Sequence, residues 1–216
     1  MVIELVGPAG AGKSAVAAEL SKLGVVRAGV WNLPRLLLAR SALASGAVLA
    51  AMWRDGGRAS AAKQVVRLGA LEQRVAQLAA HRSRAVVLDE GPVFALTWFR
   101  VFSDPQAGNG RLAAWQRGAT ERWAEALGAV VFLDAPDPLL LRRIRNRTKA
   151  RDVFATMTDA EILELQAAYR AAFAQVIPAI TGASGARLLS LDAGHAPADQ
   201  LARQVAAAFA EGLHGD

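Results

Sequence analysis

The stretch GPAGAGKS, residues 7–14, decides how this chain is read. Gly7, four residues, Gly12, Lys13 and Ser14 give the spacing of a phosphate-binding loop. The preceding MVIELV is apolar and β-branched and reads as a buried strand. The following AVAAELSKL reads as a helix. Strand, glycine loop and helix are the context in which the motif works. Gly7, Gly10 and Gly12 let the backbone turn without a Cβ in the way. The loop amides and the helix N-terminus then converge where an anion is stabilised. In this reading the nucleotide lies against Gly7, Pro8, Ala9, Gly10, Ala11, Gly12, Lys13, Ser14 and Ala15. Lys13 reaches the β- and γ-phosphates, and Ser14 ligates Mg²⁺. The plainer alternative is a glycine turn that only starts a helix. The expected cofactors are therefore ATP and Mg²⁺.

The 216 residues suit one domain spanning 1–216, with 53% apolar and 20% charged residues, a globular composition. No cysteine is present, so disulfides and cysteine metal sites are excluded. That absence fits a reducing, cytoplasmic setting. The loop begins at residue 7, which leaves no room for a leader ahead of it. The net charge of +6 invites a nucleic-acid reading, yet no Lys run or nucleic-acid motif appears. Direct nucleic-acid binding is disfavoured. The apolar stretch 31–53 is interrupted by Arg35 and Arg40, and its uncharged part is too short to span a bilayer. It reads as a buried helix, with a membrane-edge or lipid-acceptor surface as the minority reading.

Strand-like runs at Val2–Val6, Val25–Val26, Ala85–Leu88, Ala129–Leu133 and Arg187–Leu191 alternate with helical segments. The helical segments include 33–52, 138–147, 159–180 and 197–213. Alternation of this kind predicts an α/β fold with a parallel sheet covered on both faces. Ligands bind such sheets beyond the carboxyl ends of the strands. The run AVVLDEGP, residues 85–92, ends in Asp89 and Glu90, in the manner of a Walker B strand. Such an acid holds the Mg²⁺ shell or accepts a proton from an acceptor hydroxyl. Adjacent strand residues point to opposite faces, so both acids need not face Mg²⁺, and the two roles compete for them. Asp89 is the first choice for the metal shell or base and Glu90 the alternate.

The segment VVFLDAPDPLLLRRIRNRTKARD, residues 130–152, carries a strand, an acidic proline turn and a helix loaded with cations. Arg143 and Arg147 stand four apart and would share a helix face. With Arg142, Arg145, Lys149 and Arg151 they form a cluster that an anion would balance. A transferring phosphoryl group suits guanidinium geometry. A solvated basic face is the alternative.

Together GPAGAGKS, LDEGP and LDAPDPLLLRRIRNR resemble the P-loop small-molecule kinases, closest to their thymidylate kinase-like and deoxynucleoside kinase-like branch. The resemblance implies a P-loop NTPase three-layer sandwich, with a five-stranded parallel sheet in order 2-3-1-4-5 and an arginine-rich lid at about 142–155. It implies that Arg143 and Arg147 match that family's pattern of Arg, three residues, Arg. Asp89 matches the acid ending strand three. SLDAGHAP, residues 190–197, resembles the loop that touches adenine, which brings in Ala193 and Gly194. The likeness covers about half the chain. Thymidylate kinases follow the strand-three Asp with Arg, and deoxynucleoside kinases have Glu-Arg-Ser. Here Glu90-Gly91 follows, so the arginine that would hold an acceptor is missing.

The expected activity is ATP- and Mg-dependent phosphotransfer to a small-molecule acceptor, a nucleoside or nucleotide being favoured. The acceptor side would be residues 31–80, with Trp31, Trp53, Phe94, Trp98 and Phe99 as aromatics. The catalytic set is Lys13, Asp89, Glu90, Arg143 and Arg147, with Arg151 joining the lid. Ser14 and Asp89 take the metal. The expected partners are a nucleoside triphosphate and an unidentified acceptor, with a homodimer allowed. A kinase of a sugar, antibiotic or lipid-linked alcohol, or a nucleotide-dependent regulatory switch, are the alternatives. His81, His195 and His214 lack ligand spacing and read as surface or structural residues.

Overall fold

The computed structural model describes residues 1–54, 58–80, 85–102, 110–147 and 153–210. The elements are β1 (Val2–Val6), α1 (Lys13–Lys22), β2 (Val26–Ala28), α2 (Arg35–Ala44), α3 (Gly46–Arg54), α4 (Ala59–Ala80) and β3 (Val86–Asp89). They continue as α5 (Pro92–Phe102), α6 (Gly110–Ala126), β4 (Ala129–Asp134), α7 (Asp137–Arg145), α8 (Asp159–Ser184), β5 (Arg187–Asp192) and α9 (Ala198–Ala208). The sheet is parallel, in order β2-β3-β1-β4-β5. This is the expected order and a P-loop NTPase α/β fold.

Alternation along the strands builds two cores. Ile3, Leu5, Val87, Val131 and Leu133 face α1, α7 and α9, meeting Val16, Leu20, Leu140 and Val205. Val6, Val86, Leu88 and Val130 face α4, α5, α6 and α8, meeting Leu71, Val93, Trp123 and Phe173. The three layers follow directly. Fully burying a side chain such as Phe173 stabilises by roughly 1.5–3 kcal/mol. Register places Leu5 beside Asp89 and Val6 beside Phe132, so the chain leaves β1 level with the ends of its neighbours.

Local chemistry sets the boundaries. The long helix expected over 33–52 is two helices, α2 and α3, bent by 69° at Ser45. Gly46 begins the second, where helix continuation is weakest. The same stretch is not a buried helix, since Leu36, Leu43 and Trp53 are exposed. Gly69 of α4 admits α2 closely: a Cβ there would lie 2.5 Å from Ser41 Oγ. Thr158 and Glu161 form a capping box that starts α8. Pro178 does not stop α8, which runs past the expected Ile180 to Ser184 and ends at Gly185 with φ 70°. The helix expected over 197–213 ends at Ala208. The turn-rich segment SDPQAGNGR, residues 103–111, which reads as a flap or a connection between helices, falls largely outside the described residues.

Candidate active site

Gly7, Gly10 and Gly12 all adopt positive φ, 141°, 87° and 88°. A Cβ on Gly7 would sit 1.9 Å from Leu133 O, and one on Gly10 2.9 Å from Leu140 O. A Cβ on Gly12 would meet open space. Lys13 Nζ arches back over the loop and donates to Gly7 O at 2.8 Å and Pro8 O at 3.0 Å. The N–H groups of Gly10, Gly12 and Ser14 have no partner among the described residues. The other expected contacts differ. Pro8 has no N–H. Ala9 N–H is taken by Gln166 Oε1 at 3.0 Å, while Gln166 Nε2 donates to Ala9 O at 2.8 Å. Ala11 N donates to Pro8 O at 3.3 Å and Ala15 N to Gly12 O at 3.0 Å. These four residues shape the loop and offer no free amide to a phosphate. Gln166, buried on α8, was not foreseen, and nothing in its sequence surroundings marks it.

The strand end separates the two acids. Asp89 shares the face of Val87 and α1, with Ser14 on that side at the start of α1. One Asp89 oxygen accepts from the Arg27 guanidinium, and the other, Oδ1, is buried without a partner among the described residues. An orphaned carboxylate oxygen on the sheet face that α1 covers, with Ser14 in the first turn of that helix, fits a hydrated divalent cation that takes few protein ligands. No cluster of three or more His, Cys, Asp or Glu exists among the described residues, so phosphate oxygens and water would complete the shell. Arg27 was missed by sequence reading because its partner lies 62 positions away.

Glu90 points to the opposite side. Its φ of 64° is uncommon outside glycine, and its carbonyl accepts from Val30 N at 3.2 Å. Its carboxylate accepts from the Trp31 indole N–H, and the Arg67 guanidinium lies 4.2 Å from the Trp31 ring centre. Tyr169 stacks on Phe94 with centroids 6.3 Å apart. Burial, then the Glu90 charge, pushes the Tyr169 hydroxyl well above its ordinary pKa. Glu90, Trp31, Phe94 and Tyr169 thus wall one side of the strand end. Trp98 packs with Phe99 and Phe102 instead.

Glu4 explains why Gly91-Pro92 follows the acids. This fully buried carboxylate accepts from Gly91 N (3.0 Å), Val93 N (2.9 Å) and Phe94 N (3.0 Å), capping α5. A Cβ on Gly91 would come within 2.8 Å of Glu4 Cδ, and Pro92 has no N–H to satisfy. Burial pushes the Glu4 pKa up to about 8 against the three N–H bonds that lower it. A lone acid within VIELV was the signal available in the sequence.

The arginines divide. Arg143 donates to Ala193 O at 2.9 Å and Gly10 O at 3.4 Å, tying the phosphate loop to the turn after β5. α7 ends at Arg145, so Arg143 and Arg147 do not share a helix face as expected. Arg147 is half-buried and forms no side-chain hydrogen bond or ion pair with another described residue. Arg145 is balanced by Asp159 at 2.5 Å. Arg151 and Lys149 lie outside the described residues, as do His81 and His214. Arg170, unforeseen, grips Asp134 at 2.8 Å and Asp137 at 2.6 Å, which raise its pKa. Beyond β5, Ala193 is buried and donates to Asp134 O at 2.7 Å. Gly194 N and His195 both bind Asp192, and they hold its carboxyl below the usual range. A hollow of about 450 Å³ there is lined by Phe132, Asp134, Pro136 and Asp192. A larger groove of about 860 Å³ between α5, α6 and α8 is lined by Phe99 but by none of the expected catalytic, nucleotide or metal residues.

The family model described as AAA domain matches residues 2–172. The chain belongs to the AAA domain family. The matched span of this AAA domain takes in the loop, both strand-end acids, and Gln166 and Arg170. Among curated proteins, none matches it by sequence. Solved structures share its fold. YorR protein from Bacillus subtilis, in complex with phosphorylated GDP, is 20% identical with a TM-score of 0.56, covering 100% of this chain and 99% of that one. Deoxyadenosine kinase from M. mycoides, with products dCMP and dCDP bound, is 16% identical with a TM-score of 0.59, covering 98% and 100%. Shikimate kinase from Bacteroides thetaiotaomicron is 15% identical with a TM-score of 0.52, covering 97% and 98%.

Proposed function

We propose that this AAA domain is an ATP- and Mg-dependent phosphotransferase acting on a small hydroxyl-bearing acceptor, a nucleoside or nucleotide being favoured. One observation carries the reading. The two acids at the end of β3 face different sides, Asp89 toward α1 and Glu90 toward the aromatic wall. Hydrolysis and transfer both use a metal-shell acid and a residue beside the nucleophile, so the aromatic wall against Glu90 is what favours an organic acceptor over water. The fold neighbours that carry nucleosides or nucleotides support the favoured acceptor class.

Mg·ATP, when bound, supplies the transferable γ-phosphoryl group and a divalent charge beside its oxygens. Lys13 exchanges its bonds to the Gly7 and Pro8 carbonyls for phosphate oxygens. The Gly10, Gly12 and Ser14 amides face the same anion. Ser14 Oγ and Asp89 Oδ1 hold the metal shell, directly or through water, while Arg27 fixes the other Asp89 oxygen. Glu90, oriented by the Trp31 indole, takes the proton of the acceptor hydroxyl. Arg143 positions the loop through Gly10 and Ala193, and Arg147, with Arg151 beyond it, closes over the transferring group.

The test is ADP formation from Mg·ATP with pooled nucleosides, nucleotides, sugars and other alcohols, using Lys13→Ala as the inactive control. One pool should raise turnover well above the basal rate. Glu90→Gln should then lower kcat about 10²–10⁴-fold while ATP affinity holds. ATP binding with no stimulation by any pool would sink the reading in favour of a regulatory ATPase.

A further inference from the structure

The outer faces of α2 and α3 are unlike the rest of the surface. Leu36, Leu43 and Trp53 are 62%, 83% and 75% exposed, far more than a packed helix leaves uncovered. Leu36 and Leu43 are two turns apart on one helix, so they share a face. α2 packs inward on α4, and α3 on α6 and α4, which leaves these side chains on the outer sides of two consecutive helices. Arg35, Arg40 and Arg54 are exposed on the same two helices, and neither helix carries an acid. The imbalance extends along the sequence. Between Glu19 and Glu72 stand eight Lys and Arg residues and one acid, Asp55.

We infer that α2 and α3 form an interfacial docking surface for an anionic lipid bilayer. Charge complementarity selects this occupant. A second copy would bring one cationic face against another. A nucleic acid would leave the exposed Leu36 and Leu43 without an apolar partner. An anionic headgroup layer over hydrocarbon meets both halves of the surface: arginines bind phosphates, and Leu43 and Trp53 enter the boundary below them. The helices lie in the interface and do not cross it. At about 1.5 Å per residue each is roughly half the thickness of the hydrocarbon core, and the pair is bent by 69°. The inference does not rest on the proposed reaction, since no residue of the surface belongs to the phosphate loop or the strand-end acids.

The experiment is flotation of the full chain with vesicles of phosphatidylcholine alone, or with about one part in three of phosphatidylglycerol. Two variants are compared, Leu43→Ser/Trp53→Ser and Arg35→Gln/Arg40→Gln, each first shown to keep the wild-type melting temperature and ATP binding. The expected result is flotation with the anionic vesicles only, weakened as salt rises, and reduced about tenfold or more by either variant. Absence of flotation, equal flotation with neutral vesicles, or flotation untouched by both variants overturns the inference. So does a lipid-free dimer of the wild type that either variant converts to a monomer.

Discussion

Three glycines of one loop answer to three different constraints. Gly7 is fixed by the Leu133 carbonyl, Gly10 by the Leu140 carbonyl, and Gly12 by its dihedral angle alone. Gly7→Ala must move backbone against backbone and should cost about 3 kcal/mol or more. Gly12→Ala should cost only about 1–2 kcal/mol, the penalty of a left-handed alanine. Urea denaturation of both variants checks the contrast; equal losses would refute it. Sequence alone singled out Lys13, Ser14, Asp89 and Glu90 as candidates, because their spacing and strand context are local. It missed Arg27 and Gln166, whose meaning comes from partners 62 and 157 positions away. Glu4 was visible as an anomaly in an apolar strand, but its three N–H partners were not.

The strands were legible where apolar runs were strong, and their order came from the resemblance to the P-loop small-molecule kinases, not from periodicity. The failures were helix ends. A continuous apolar pattern hid the bend at Ser45, because hydrophobicity cannot distinguish one long helix from two that bury different faces. Arg147 was assigned to a helix that stops before it for a related reason: cations carry no boundary signal. At this scale α8 matters more than its lack of motifs implied, since Gln166 clasps the phosphate loop and Arg170 holds the end of β4 and the start of α7. Gln166→Leu would leave the half-buried Ala9 N–H and carbonyl without their partners, a loss of about 1 kcal/mol for each bond. ATP affinity, measured by calorimetry, should fall about tenfold or more. An unchanged affinity would show that the loop holds its shape without the clasp. Thr158→Ala, which removes the cap of α8, should lower stability by about 1 kcal/mol in urea.

For the whole molecule, Glu4 links stability to pH. Its folded pKa of about 8 stands above the ordinary 4.5. Between those values the unfolded chain releases a proton that the folded chain retains, so stability falls as pH rises through the window and levels off above it. The stabilisation is complete below pH 4.5 and amounts to a few kcal/mol at most. Glu4→Gln cannot ionise. The melting temperature of the wild type, relative to that variant, should therefore drop between pH 5 and pH 8.5; a constant difference would contradict the assignment. The clasp by Gln166 has a consequence in time as well. A ribosome reaches the clasping residue 157 codons after the loop residue it holds, and the exit tunnel delays it further. The nascent chain therefore carries the binding motif long before it can hold the motif's shape, and ATP capture waits for α8.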